Sequence, residues 1–446
     1  MRIRNSCPQT ENLLYLIIRL KENTEGNTDH MSRITGIIAE YNPFHKGHAY
    51  HLEKARELTC ADHLIVVMSG DFVQRGAPAL FDKYLRTRMA LLEGADLVLE
   101  LPVSIACASA EYFASGAVSV LDQLGCVNAL CFGSESGDVR ALTACAQVLL
   151  EEDTAYQQQL RSLLKKGYSF PAARKSAFAA LHHPECFTEL LDSPNNILGL
   201  EYIKALLRSN SHIQPTALKR AGAGYHDGHL SGSLSSATAI RKHLRENSIE
   251  NGRSLVNYEE ILTKTMPESA ALLAARRLSC ESPVWEDDFS LLLRYRLMLQ
   301  SPEELGIYAD LSPELARRIH ARLNDFRSFS QFLSLLKTRE LTYTRISRAL
   351  LHVLLNIKED MSPLSPVPYA RILGFSRAGS GLLREIKANT RIPLITKAAD
   401  HRKLLSDSAQ RKFEQDLFAS NLYETVRTQK NGTVFVNDIQ KPPVIL

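Results

Sequence analysis

Two histidines flank a glycine in His45-Lys46-Gly47-His48, and an apolar run ahead of them, Gly36-Ile37-Ile38-Ala39, leads through Glu40-Tyr41-Asn42-Pro43-Phe44. The run reads as a strand, the Asn-Pro pair as a turn, and the residues from His48 onward as a helix. A strand of a parallel sheet that feeds a helix N-terminus presents unpaired N–H groups to anions. Two imidazoles at that place add donors as negative charge develops on the phosphates of a nucleotide. Gly47 lets the backbone approach a ligand closely. Metal ligation is the rival chemistry for paired histidines, but no Cys, Asp or Glu stands at a helpful local spacing, so no metal site is expected. The pattern points to chemistry on a nucleoside triphosphate.

Other segments carry matching chemistry. In Ser235-Ser236-Ala237-Thr238-Ala239-Ile240-Arg241-Lys242, hydroxyls open a helix and a cation follows one turn later, after the glycine-rich loop Gly222–Gly232. This makes a second anion cradle from Ser236, Thr238 and Arg241; taken alone it is a capped helix with a basic end. Asn195 and Asn196 in Ser193-Pro194-Asn195-Asn196 either cap a helix or read an adenine edge or ribose with their amides. Arg220 follows a strand, where it reaches phosphate or stacks on a base. Gly133 in Phe132-Gly133-Ser134-Glu135 is placed for close backbone approach to a nucleotide, or merely turns the chain. The loop Ser69–Pro78, ahead of Lys83 and Arg86, either holds an acceptor carboxylate or connects two elements.

These residues need a frame that gathers them. Strand-like runs at Ile34–Ala39, His63–Met68, Ala95–Leu101, Val127–Phe132 and Ile213–Leu218 alternate with helical patterns at His48–Leu58, Phe81–Leu92, Glu111–Leu124 and Val139–Glu151. The alternation predicts an α/β fold, a parallel sheet with helices on both faces. The near-continuous apolar strands, such as Leu64-Ile65-Val66-Val67-Met68, fit burial on both sides. Ligands bind at the carboxyl ends of such strands, which is where the histidine turn, Ser69-Gly70-Asp71 and Gly133-Ser134-Glu135 fall. Helical patterns dominate from Tyr258 to Leu355, a Pro-rich break spans Ser362–Pro368, more helix runs to about Tyr423, and Thr433–Val436 is a last strand candidate. Three parts are expected: a weakly ordered extension (1–30, upstream of a start at Met31), a catalytic α/β domain (31–250) and a mostly helical basic domain (251–446).

The bulk composition of the 446 residues, 45% hydrophobic and 23% charged, is that of a soluble globular protein, and the net charge of +4 by itself demands no polyanion. No run reaches the roughly 18 apolar residues of a membrane span, so no membrane partner is expected. The eight cysteines form no C-x-x-C pair and read as reduced thiols of a cytoplasmic protein. Charge is uneven: from Asp310 to Lys430 there are 21 lysines and arginines against 12 aspartates and glutamates. Arg345, Arg348 and His352 fall on one helical face, and with Arg317, Arg318, Arg322 and Arg327 they make either a surface that tracks an RNA backbone or a solvated basic face.

His-x-Gly-His is shared by nucleotidylyltransferases and class I aminoacyl-tRNA synthetases. Together with Gly70-Asp71-Phe72-Val73-Gln74-Arg75-Gly76, Pro194-Asn195-Asn196-Ile197-Leu198-Gly199 and Tyr343-Thr344-Arg345, it resembles the bacterial tRNA(Met) cytidine acetate ligase family from Gly36 to about Lys397. The resemblance implies a Rossmann-like nucleotidylyltransferase domain followed by a mostly α-helical C-terminal domain. It implies that acetate attacks ATP, with Mg²⁺ as counter-charge, to give acetyl-adenylate, and that N4 of the wobble cytidine of elongator tRNA(Met) then takes the acetyl group; no DNA partner is implied. His45, His48 and Arg241 would be catalytic. ATP would be held along Ile38, Ala39, Glu40, Tyr41, Asn42, Pro43, Phe44, His45, Lys46, Gly47, His48 and His51, with Gly133, Asn195 or Asn196, and Arg220, and with Ser236, Thr238 and Arg241 on the phosphate side. Arg317, Arg318, Arg345, Arg348 and His352 would meet RNA. Two rivals remain: a nucleotidylyltransferase acting on a small metabolite, and a non-catalytic tRNA-binding factor with a vestigial nucleotide site.

Overall fold

Alternate residues of the apolar strands bury on opposite faces of one sheet. Ile65 and Val67 join Leu97 and Leu99 beneath the helices Ala110–Gln123, Val139–Glu151 and Pro194–Arg208. Leu64, Val66 and Met68 join Ile37 and Val98 beneath the helices Lys46–Thr59, Lys83–Leu92 and Ala237–Glu246. A strand with a period of two and both faces covered can carry apolar residues at every position, which is what the runs show. The computed structural model describes residues 32–151, 154–180, 185–220, 236–246, 258–359 and 366–446. The expected extension 1–30, the loop Gly222–Gly232 and Ser235 lie outside the described residues.

In chain order the strands are β1 (Ile34–Ala39), β2 (His63–Ser69), β3 (Phe72–Val73), β4 (Ala77–Pro78), β5 (Leu97–Leu101), β6 (Ala129–Ser134), β7 (Gln214–Lys219), β8 (Ala370–Phe375), β9 (Leu394–Ile395) and β10 (Val444–Ile445). The main sheet runs β10-β8-β5-β2-β1-β6-β7, with β9 on β8, while β3 and β4 form a small hairpin. β1 pairs in parallel with β2 from Ile34 opposite His63 to Ala39 opposite Met68, and with β6 on its other side. The chain winds outward through β2 to β5 and then returns past β1 to β6. The crevice at the carboxyl ends of β1 and β6 is therefore the place where an open α/β sheet takes its ligand.

Helices fill Tyr258 to Leu355 as the pattern predicts, and most of them pack on a core of their own around Phe289, Leu315, Phe332, Ile346 and Leu350. Arg33–Leu446 is a single compact unit, and the chain returns to the sheet after the Pro-rich break. β8 pairs antiparallel with β5, and β10 pairs with β8. A buried ion network makes this return tight. Lys83 Nζ donates to Glu100 on β5 at 2.8 and 2.9 Å and to Asp438 at 3.0 Å; Arg371 on β8 donates to the same Asp438 oxygen at 2.8 Å. Two cations and two carboxylates, none more than 4% exposed, neutralise one another across the helix, the sheet and the C-terminal segment. Thr433–Val436 is not a strand: Val434 is 83% exposed, and no strand of the sheet pairs with it.

Candidate active site

β1 ends at Ala39, and the turn through Asn42 and Pro43 delivers the chain to the helix Lys46–Thr59. One buried guanidinium sets the shape of that edge. Arg86, with no exposed surface, donates to the carbonyls of Glu40 at 2.6 Å and Ser69 at 3.0 Å, and also to that of Gly70. A five-donor planar fork is suited to tying several carbonyls at once, and here it ties the carboxyl ends of β1 and β2 together.

His45 is the N-cap of the helix. Its Nδ1 accepts the Gly47 N–H at 3.0 Å, while His48 Nδ1 accepts the His45 N–H at 3.3 Å. With Nδ1 an acceptor on both rings, the proton of each neutral imidazole sits on Nε2, where it can donate to a ligand oxygen. Burial pushes His45 down to about 3, helped by the positive charges of Arg220 and Arg241. Burial likewise lowers His48 well below the usual range, with His45, His51 and Arg220 adding to it, and takes His51 down to about 4, with Arg220 adding. The three rings are neutral at physiological pH, and His45 and His48 present Nε2–H donors, whereas His51 bonds the Cys131 backbone through its ring. His51 Nε2 is buried without a hydrogen-bond partner, a cost that a bound ligand would remove. Gly47 has a local reason beyond ligand approach: a Cβ there would lie 2.8 Å from Cε1 of the His45 ring.

A cavity of about 280 Å³ opens at this edge. It gathers Ile38, Ala39, Glu40, Tyr41, Asn42, His45, Gly47, His48 and His51 from the first βα unit, Gly133 from the end of β6, Asn195, Arg220, and Ser236, Thr238 and Arg241 from the later helix. Arg241 donates to the Asn42 carbonyl and, at 3.3 Å, to Thr238, and burial together with Arg75 lowers its pKa to about 10, so it stays charged. Ser236 caps its helix, accepting the Ala239 N–H at 3.1 Å. Three arginines (Arg75, Arg220 and Arg241) thus face one cavity alongside three neutral imidazoles, an arrangement that calls for a polyanion.

Four expected contacts fall elsewhere. Pro43 does not line the cavity, and Phe44 is fully buried in the core. Lys46 points its amine at the carbonyls of Thr263 and Lys264, at 3.0 and 2.9 Å. Asn196 is buried, and its Oδ1 accepts from Ser134 Oγ at 2.7 Å and Ser136 N–H at 3.1 Å, bracing the turn after β6. Its neighbour Asn195 keeps its place in the cavity wall and donates to Glu135 at 2.6 Å. The sequence reading did not name Gln74, Arg75, Phe113, Phe132, Leu198, Tyr202, Leu218 and Lys219 as site residues, while Tyr50 lies within the stretch Ile38–His51 expected to hold ATP. Gln74, Arg75, Phe132 and Leu198 lay in motifs already singled out, whereas Phe113, Tyr202 and Leu218 carry no signal that separates a cavity wall from a core.

The expected basic face also divides. Arg317 is exposed, and Arg345 is half-buried. Arg318 bonds the Leu336 carbonyl at 3.0 Å. Arg348 pairs with Asp310 at 2.7 Å, and His352 is 1% exposed, its ring nitrogens 2.8 and 2.9 Å from the Ala309 and Cys107 carbonyls. His352 is thereby excluded as an RNA contact: the face it shares with Arg348 turns inward, because the helix Tyr343–Leu355 buries Ile346, Ala349, Leu350 and Val353 beside it.

A mostly parallel sheet with its strand-order reversal at β1, and a His-x-Gly-His helix start in the resulting crevice, define a HIGH nucleotidyl transferase, and the model of that family matches residues 32–435. More particular likenesses follow. The tRNA(Met) cytidine acetate ligase of Acetivibrio thermocellus is 41% identical over 397 residues, 88% of this chain and 94% of the relative. The enzyme of the same name from Clostridium tetani is 39% identical over 422 residues, 92% of this chain and 99% of the relative. The crystal structure of Thermotoga maritima TmcAL bound with alpha-thio ATP superposes with a TM-score of 0.84 at 34% identity, covering 93% of this chain and 99% of that one. The chain belongs to the tRNA(Met) cytidine acetate ligase family.

Proposed function

We propose that this protein activates acetate with ATP and transfers the acetyl group to N4 of the wobble cytidine of elongator tRNA(Met), in the cytoplasm. The observation that carries the reading is the convergence of His45 and His48, as neutral donors, and of His51 with Arg220 and Arg241 on one cavity at the sheet's reversal point. An acetate oxygen attacks the α-phosphorus of ATP; the bond to the bridging oxygen breaks, and pyrophosphate leaves with the electron pair. The charge that builds on the β- and γ-phosphates is met by the imidazole Nε2–H groups and by Arg241, held in place before the reaction so that little reorganisation is needed. No covalent nucleophile is required. Magnesium belongs to the proposal as counter-charge; among the described residues no three His, Cys, Asp or Glu side chains gather to hold an ion. The residues therefore fit an ion carried on the triphosphate's own oxygens and waters. The exposed basic residues around Arg317 supply the electrostatic approach of tRNA.

Acetate-dependent exchange of labelled pyrophosphate into ATP, followed by acetylation of unmodified tRNA(Met), tests the reading. Exchange without regard to acetate would favour a transferase for another small substrate. No exchange, with tRNA binding retained, would favour a binding factor.

A further inference from the structure

A second cavity, of about 440 Å³, lies against the first, and Glu40, Asn42, Arg75, Thr238 and Arg241 are walls of both. Its far side comes from the helical region: Trp285, Phe329, Leu333 and Ser334, facing Val73 and Pro78 of the β3–β4 hairpin. The volume is far beyond what acetate needs. Its lining mixes apolar and aromatic side chains with the cations Arg75, Arg241, Lys242 and Arg245 and the carboxylates Glu40 and Glu286. Glu286 is paired with Arg245 at 2.5 Å, so the charge surplus left for flanking phosphates comes from Arg75, Arg241 and Lys242, beside surfaces on which a base can stack. The Arg245 guanidinium already lies 4.4 Å from the centre of the Trp285 ring, so a planar cationic and aromatic platform stands ready.

The geometry points to this second cavity as the site for a single unstacked pyrimidine nucleotide of the RNA substrate, with Glu40 at the seam receiving its exocyclic amine. This rests on the ligase reading above and adds the acceptor's place to it. Glu40 is the one carboxylate shared by the two cavities, and the Gln74 N–H holds its Oε1 at 2.9 Å, leaving the second oxygen to a ligand. A carboxylate is the usual acceptor for the N4 amine of cytosine. At that seam the N4 nitrogen attacks the acyl carbon of the adenylate formed next door. The N–C bond forms, the bond from the acyl carbon to the phosphate oxygen breaks, AMP leaves with the pair, and one N4 proton passes to the Glu40 carboxylate. A uracil offers an oxygen in place of that amine and would meet Glu40 with repulsion.

Trp285 is the only tryptophan of the chain, so its fluorescence reports on this cavity alone. The ATP-saturated protein is titrated with an RNA hairpin carrying one unpaired cytidine in its loop, and with the same hairpin made abasic at that nucleotide. Quenching by the cytidine hairpin, weakened about 10- to 100-fold in affinity for the abasic one, is the expected result, the size that stacking of one base supplies. Equal quenching by both, or none by either, overturns the proposal. As a second measurement, Ser334→Phe narrows the cavity, and the ratio of acetyl transfer to acetate-dependent exchange is expected to fall at least about tenfold. An unaltered ratio overturns it. Should the wild-type protein show no acetate-dependent exchange, the ligase reading fails by itself, and the fluorescence titration still decides whether a nucleotide enters here.

Discussion

His45 and His48 lie ring on ring, their centroids 3.8 Å apart and their planes 24° from parallel, and each uses Nδ1 to accept a backbone N–H of the same turn. One ring fixes the other's tautomer by fixing the turn, so the pair works as a unit. His48→Ala removes one donor and the clamp on the His45 N–H together. The acetate-dependent exchange rate is expected to fall by about 10²- to 10³-fold, and a loss below tenfold in that assay would remove His48 from the phosphate site.

The lowered histidines also set a pH dependence of stability. His45 near 3 and His51 near 4 hold protons less tightly folded than unfolded, where about 6.5 applies. Their contribution is therefore present above about pH 6.5 and is lost as pH falls toward those folded values. Asp71 runs the other way, since burial raises it to about 6 and its stabilising share lies at low pH. Urea unfolding of wild type and His45→Gln at pH 7.5 and 5 separates the two. The wild type should lose more stability than the variant on acidification, and equal losses would contradict a buried neutral His45.

Asp438 balances Lys83 and Arg371 where no water reaches. Asp438→Ala leaves two buried cations with only Glu100 between them, and a loss of about 3–5 kcal/mol is expected from denaturant unfolding. The same variant should expose the amides of β8 to hydrogen exchange ahead of those of β1, because the C-terminal segment would detach first.

Gly76 has φ of +78°, and a Cβ there would meet the Arg348 backbone nitrogen at 2.4 Å, while its carbonyl accepts from Ser347 Oγ at 2.8 Å. Gly76→Ala must push the β3–β4 hairpin off the helix Tyr343–Leu355. Faster hydrogen exchange in both segments is expected, with a stability loss of about 1–3 kcal/mol. Arg75, the next residue, should lose its place between the cavities, so weaker ATP binding should accompany the loss.

Arg317 and His352 stand on opposite sides of the surface. Arg317→Ala should weaken tRNA binding across sequences and lower the salt slope of log K by about 1, whereas His352→Ala should lower the melting temperature and leave that slope alone. Filter binding over a salt series reads both, and a changed slope for His352→Ala would reverse the assignment.

Much of the site was legible because its residues are local. A strand, an Asn-Pro turn and a histidine helix start sit within the fifteen residues Ile34–His48, and hydrogen bonds between neighbours such as His45 and Gly47 depend on spacing alone. The inner strands β1 and β2 showed because a strand buried on both faces is apolar nearly throughout, whereas the edge strand β7, none of it fully buried, showed by its place in the βαβ alternation. What the tertiary structure decided is which members of a pattern meet the cavity. Lys46 and Asn196 sit beside true wall residues yet bond elsewhere, and His352 shares a helical face with Arg345 but is buried. β8 was invisible because an antiparallel strand that arrives after a hundred helical residues has no βαβ rhythm to announce it. Its partner lies far back in the chain on β5. The second cavity is the plainest case. Glu40 and Trp285 are 245 positions apart in the sequence, and only the packing of the helical region against the sheet's edge brings them to one space.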